Sequence, residues 1–417
     1  MSDITLEDFE TEVRTFLDAN AEKKPPREAF VWGQGSDDAA LFEEIDREHE
    51  KVLLGHAKDW RAKRYDAGFG YLTGPSQFGG RELSQAHQRL YDMTENEYEV
   101  PDQGFFGIGL GMVAPTIKDH AQPEVAAEIL PKMYRADWVG CQLFSEPGAG
   151  SDLASLQTKA ERDGDEWVIT GQKVWTSGAH YSDVGEVICR TDPNLPKHKG
   201  LTGFIVDMHD PAIEVVPLRQ MTGGAAFNEV FFNEYRVPDA WRLGDENQGW
   251  SVALTTLMNE RASIGGGSGG AATTKLIEMV RHFGLADDAL TRQDLAQIWI
   301  QSNVNRYTHQ RAMDKMKAGG LPGPEMSIGK LALTRNMTST VEFVSKVLGA
   351  RVQADTGEWG TYAWSKYVLG VPAMRIAGGA DEILRNIVSE RVLGMPKDVG
   401  IDTTSPFNEL TVGTQTS

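Results

Sequence analysis

Apolar residues recur three and four positions apart among charges over residues 5–19 and 40–63, the spacing of a helix that buries one face. Helices are therefore expected to dominate residues 1–135, with a Gly-rich loop at 67–80 between them. From about Trp138 the period shortens. Strand-like runs at 156–160, 167–170, 185–190, 201–206 and 229–232 are set apart by turn residues such as Asp163-Gly164-Asp165 and by Pro193, Pro196, Pro211, Pro217 and Pro238. This pattern predicts a small antiparallel barrel or sandwich over 136–246. After Asn247-Gln248-Gly249 helical spacing returns over 247–400, with breaks near 283–289, 317–324 and 349–360. The polar tail, 401–417, is expected to be poorly ordered. The run Gly265-Gly266-Gly267-Ser268-Gly269-Gly270 costs a helix roughly 1 kcal/mol per Gly. Either the helix breaks there or another backbone passes close by.

Composition narrows the choice of partners. With 417 residues, 40% of them hydrophobic, the chain can bury a large core in two or three domains. The net charge of -19 repels polyanions, which argues against nucleic acid or an anionic membrane surface as the main partner. No apolar run approaches the roughly 20 residues needed to cross a bilayer. Two cysteines, Cys141 and Cys189, cannot build a disulfide framework, and no basic, apolar leader opens the chain, so a cytoplasmic location is expected. The glycines of 107–111 and 265–270 lack the G-x-G-x-x-G spacing and follow no strand of a βαβ unit, which argues against a Rossmann site. There is no Walker A lysine, no HExxH and no tight Cys/His set, so neither a P-loop nor a zinc centre is expected.

Two segments carry the chemistry. Cys141-Gln142-Leu143-Phe144-Ser145-Glu146-Pro147-Gly148-Ala149-Gly150-Ser151-Asp152 opens the strand-rich block, and Gly171-Gln172-Lys173-Val174-Trp175-Thr176-Ser177-Gly178 follows one hairpin later. Alone, the Pro-Gly-Ala-Gly portion is a tight loop whose backbone N–H groups can face a ligand. Together the two resemble the flavin-binding signature of the acyl-CoA dehydrogenases, and the order helices, strands, helices matches that family over nearly the whole chain. The resemblance implies an α+β multidomain fold: an N-terminal helical domain, a central antiparallel β-barrel or sandwich and a C-terminal four-helix bundle. It implies FAD, with Gln142, Leu143, Phe144, Ser145, Gly150 and Ser151 along the flavin, and Ser151 also near the CoA portion of the substrate. Trp175, Thr176 and Ser177 would close over the other side of the ring. Aromatic and apolar contact holds such a ring flat while hydroxyl and backbone donors tune its edge.

Further contacts are implied from a neighbouring subunit. Arg281-His282-Phe283-Gly284 resembles the family's pyrophosphate loop but is one spacer short, and Gln293 stands about two residues late. Lys346-Val347-Leu348-Gly349 has Lys where Gln is usual, and Ala380-Asp381-Glu382 stands where Thr-Ser-Glu is common; Ala380 has no hydroxyl to donate. A cofactor shared across subunits implies a homo-oligomer, a dimer or a dimer of dimers.

The implied reaction takes a proton from the carbon beside a thioester carbonyl and a hydride from the next carbon. It needs a carboxylate in a water-poor pocket, since desolvation makes it a stronger base. The family's usual base position is Gly378 here. Glu260, in Leu257-Met258-Asn259-Glu260-Arg261, stands where isovaleryl-CoA and long-chain dehydrogenases carry theirs, and a glycine at 378 leaves room for it. The backbone N–H of Gly378 would hold the enolate oxygen, and Arg261 would orient the site or meet CoA. Glu382 and Glu390 fit surface ion pairs. Ala253, Leu254, Leu257 and Met258 suit aliphatic, branched or steroid-side-chain acyl groups. The expectation is an FAD-dependent acyl-CoA dehydrogenase passing electrons to an electron-transfer flavoprotein. The alternatives are a silent scaffold subunit, an acyl-CoA oxidase, and a flavin monooxygenase or nitroalkane oxidase, against which Gly378 argues.

Overall fold

A computed structural model describes residues 4–26, 30–41, 45–264, 270–317, 326–397 and 402–411, without the side chains of residues 261–272 and 316–326. Helix α1 (Leu6–Asn20) starts where the Thr5 hydroxyl accepts the Asp8 N–H at 3.1 Å. Its buried stripe is Phe9, Val13 and Leu17, each four residues from the last. Strand β1 (Glu22–Lys23) follows. Helix α2 (Arg47–Asp66) begins at Arg47 and not at residue 40, because the Asp46 carboxylate caps it by accepting the Glu48 N–H at 3.0 Å. Helix α3 (Gln85–Glu95) and strand β2 (Tyr98–Glu99), paired with β1, complete a first aromatic core around Trp60, Phe69 and Tyr91. A π-helical turn, Gly109–Val113, leads into α4 (Ala114–His120) and α5 (Pro123–Arg135).

The central sheet has eight strands: β3 (Gly140–Leu143), β4 (Lys159–Asp163), β5 (Glu166–Ser177), β6 (Val184–Arg190), β7 (Leu201–Asp207), β8 (Ile213–Leu218), β9 (Phe227–Pro238) and β10 (Arg242–Leu243). The order is β10-β7-β6-β4-β5-β9-β8, with β3 beside β6. The pairings are antiparallel except that β3, and Lys159 of β4, meet β6 in parallel. Every residue of β6 is buried, because the strand is covered on both faces. Val187 and Cys189 point into a core with Trp167 and Phe204, while Val184 and Ile188 meet helices through Ile117, Ile129 and Val252. Cys141 and Cys189 are both free and fully buried, and burial pushes both thiols up to about 12.

The C-terminal helices are α6 (Gly249–Ile264), α7 (Gly270–His282), α8 (Ala289–Lys317), α9 (Met326–Leu348), α10 (Trp364–Met374) and α11 (Asp381–Arg391). Leu276, Met279, Ile298, Phe343 and Val344 form the core of α7, α8 and α9. The breaks at 283–289 and 349–360 are present, with Gly284 in the left-handed region at φ 68°. The Gly run at 265–269 and most of the break at 317–324 lie outside the described residues.

The tail overturns one expectation. Residues 402–411 dock on the barrel: Pro406 bridges Pro196, Phe407 N donates to Leu195 O at 2.9 Å, and the buried Phe407 ring lies 3.8 Å from the Arg190 guanidinium. An aromatic anchor over a cation, with backbone hydrogen bonds beside it, holds a segment whose polar composition gives no sign of it.

Candidate flavin and acyl site

The two segments singled out in the sequence are joined. Val174 N donates to Ser145 O at 2.8 Å, and the Glu146–Ala149 backbone pair closes the Pro-Gly loop. Beneath the loop Lys173 is wholly buried; its ammonium donates to Phe144 O at 3.1 Å, Ile188 O at 2.8 Å and Glu146 Oε1 at 2.8 Å. Glu146 also accepts the N–H groups of Gln157 (2.7 Å) and Thr158 (2.9 Å). Burial pushes the Glu146 carboxyl up, but Lys173 and these donors outweigh it and hold it below the usual range. Sequence reading missed Lys173, because its role depends on carbonyls distant along the chain.

Above this base Pro147, Gly148, Gly150 and Ser151 are exposed, and a Cβ at Gly150 would meet open space. Gln142 and Ser145 are half-buried. Leu143 sits in the barrel core and Phe144 against the helices, so these two can offer a ligand only their backbone. Trp175 stands at an irregularity of β5 with φ 62°, a left-handed conformation rare for a bulky residue, and its ring is 57% exposed. An exposed, strained tryptophan beside an open Gly loop is what a flat aromatic ligand requires, so these residues fit FAD. Thr176 turns the other way: its buried hydroxyl has no hydrogen-bond partner, and its carbonyl accepts Asn228 Nδ2 at 3.0 Å. Asn228, also missed, reaches His180 Nδ1 at 3.2 Å. Burial and the nearby Arg47 push the His180 imidazole down to about 4, so it is neutral at physiological pH.

Helix α6 carries the candidate base. Val252, Ala253 and Thr256 are buried against sheet and helices, Leu257 and Glu260 are half-buried, and Leu254 and Met258 are exposed. Ala253 therefore belongs to the core and not to an acyl pocket. The Arg261 side chain lies outside the described residues. Gly378 and Gly379 have φ of 66° and 90°, so a side chain at 378 would be strained. This loop is pinned by Asp381, which is buried. Its carboxylate accepts Lys330 Nζ (3.1 Å), Thr334 Oγ1 (3.0 Å) and Arg375 Nε (3.0 Å), and Lys330 also donates to Gly379 O at 2.8 Å. Burial raises the Asp381 carboxyl, yet Arg375, Lys330 and Thr334 leave it below the ordinary value.

The remaining candidates form a second group on the bundle. Arg281 is exposed and pairs with Glu278 at 2.6 Å; Phe283 packs edge-on to Trp32. Gln293 is exposed, and Lys346 pairs with Asp294 at 2.6 Å across a shallow pocket of about 350 Å³ between α8 and α9. Gly349 ends α9 with φ 55°. Ala380 caps α11 without a side-chain hydrogen bond, and Glu382 meets Arg385 at 3.4 Å on the surface. Among the described residues no His/Cys/Asp/Glu group has the form of a metal site, and no helix is long and apolar enough to cross a membrane.

Comparison with known proteins bears on family and fold. The acyl-CoA dehydrogenase middle domain matches residues 141–235, and the acyl-CoA dehydrogenase C-terminal domain matches 247–393. The acyl-CoA dehydrogenase IpdE1 of Mycobacterium tuberculosis is 35% identical, over 84% of this chain and 91% of its own length. The acyl-CoA dehydrogenase FadE34 of the same organism is 38% identical over 76% of this chain, but the match spans only 44% of that protein. Among solved structures, the Tcur3481-Tcur3483 steroid ACAD superimposes with a TM-score of 0.71 at 25% identity, covering 95% of this chain and all of that one. The chain belongs to the acyl-CoA dehydrogenase family, oxidoreductases that depend on FAD.

Proposed function

We propose that the chain dehydrogenates an acyl-CoA thioester to its trans-2-enoyl product, with Glu260 as the proton-abstracting base. The supporting observation is the left-handed glycine at 378, where a side-chain base would be strained, in a chain that carries a half-buried carboxylate at Glu260 on α6. Glu260 takes the proton from the carbon beside the carbonyl, and the Gly378 N–H donates to the carbonyl oxygen as charge develops there. The chemistry FAD would supply when bound is acceptance of a hydride from the neighbouring carbon. Trp175 and Ser177 would cover one side of the ring, and the loop 145–151, fixed by Lys173, would line the other. Ser151 stands toward CoA. The bundle group at Arg281, Gln293, Lys346 and Glu382 would serve a neighbouring subunit, a copy or a related chain, which explains its separation from the barrel group. An electron-transfer flavoprotein is the expected acceptor. The steroid dehydrogenase among the structural relatives makes a steroid-side-chain thioester a natural member of the substrate panel.

The test is an anaerobic absorbance titration with butyryl-, isovaleryl-, octanoyl- and steroid-side-chain CoA thioesters. Wild type should bleach with at least one. Glu260→Gln should keep its yellow colour and lose reduction by at least a thousandfold; full reduction by that variant would place the base elsewhere. A colourless wild type would favour a silent scaffold subunit.

A further inference from the structure

Glu186 sits in the middle of β6, wholly buried, on the face that meets the helices. Its Oε1 is 2.6 Å from Thr256 Oγ1 on α6. Thr256 Oγ1 is 2.8 Å from Thr116 Oγ1 on α4, and Thr116 lies 3.0 Å from Met112 O in the π-turn. The other carboxyl oxygen, Oε2, is buried with no hydrogen-bond partner. An ionised carboxylate here would be an unpaired interior charge, which is costly. The hydroxyls are already served: Thr256 donates to Glu186 Oε1 and Thr116 to the Met112 carbonyl, so this one neutral donor is all that meets the carboxyl and a protonated Glu186 avoids the uncompensated charge.

The charged and titratable groups of the elements packed around it are engaged elsewhere or lie along the helix. On α4, Lys118 pairs with Asp119 at 3.1 Å and His120 bonds Thr255 at 2.8 Å. On β3, Cys141 faces the barrel core, and on β7 Asp207 is exposed at the strand end. On α6, Glu260 lies four residues beyond Thr256, one turn along the same face, with Arg261 next to it. Burial pushes the Glu186 carboxyl up to about 8, although the Thr256 hydrogen bond works in the opposite direction.

We propose that Glu186 is a positioning residue whose carboxyl ties α6 to the barrel and, through Thr256 and Thr116, to α4, fixing the helical turn that carries Glu260. The catalytic consequence rests on Glu260 being the base; the tie itself does not.

Two measurements on the FAD-loaded protein separate these claims. The first is urea unfolding between pH 5 and 9. The folded carboxyl holds its proton up to about 8, whereas the unfolded one releases it near 4.5. The Glu186 contribution is therefore complete below the lower value and is lost as pH rises toward the upper one, tenfold in the folding constant per pH unit. Glu186→Gln, neutral at every pH, should flatten that slope. The second is the rate of anaerobic flavin reduction by the fastest thioester of the panel. Glu186→Leu and Thr256→Val should slow it at least tenfold while substrate affinity changes less than twofold. Glu186→Gln should stay within about threefold of wild type at pH 7 and lack the fall expected of wild type above pH 8.

Parallel stability curves for wild type and Glu186→Gln would overturn the proposal, as would a wild-type reduction rate in Glu186→Leu. If Glu186→Leu does not fold, Thr256→Val and Glu186→Gln decide. Retained reduction in Glu260→Gln would remove the base reading alone, and the unfolding comparison would still test the tie.

Discussion

Lys173 shows how much one buried residue can organise. Its ammonium satisfies two carbonyls and a carboxylate under the loop proposed to face the flavin. Lys173→Met should leave Glu146 charged and unpaired, lowering stability by about 3–5 kcal/mol in urea unfolding and reducing the flavin retained on purification. Legibility at this scale divides by range. Trp175, Ser145 and Ser177 stand in contiguous segments whose residue types already suggest a flat ligand. Lys173, Asn228, Glu186 and Asp381 each find partners distant along the chain, and nothing local tells a buried lysine from a surface one. Leu143 and Phe144 illustrate the converse: alternation along a strand places neighbours on opposite faces, so membership of the segment says little about which side chains line it.

At the scale of elements, hydrophobic period located the long helices and most strands, and it failed where caps or covering elements decide. Asp46 moves the start of α2, and β3, β8 and β10 are too short or too mixed to show a period. The tail is the clearest case, since its order rests on Phe407 against Arg190. Arg190 in turn donates to Lys197 O at 2.8 Å and Ala154 O at 2.6 Å, the latter just after the 145–151 loop. Phe407→Ala should cost about 3 kcal/mol of stability. Hydrogen exchange should rise over 402–411 and the facing 193–197 segment, with the bundle unchanged.

For the whole molecule, the bundle presents Trp299, Ile300, Val304 and Tyr307 on α8, between 46% and 59% exposed. Four large apolar side chains along one helix exceed what scattered surface residues explain, and they fit the subunit contact that the proposed sharing of the cofactor would need. Val304→Asp with Tyr307→Asp should shift sedimentation toward the monomer and release flavin in parallel, without lowering the unfolding midpoint of the barrel. The net charge of -19 adds long-range repulsion between copies of the chain, so the proposed assembly should tighten with added salt. The buried cysteines bear on the same chemistry from another side. The enoyl thioester proposed as product is a soft electrophile that alkylates ionised sulfur, and Cys141 immediately precedes the segment proposed to line the flavin. Holding both thiols protonated and out of reach spares such an enzyme slow self-modification by its own product.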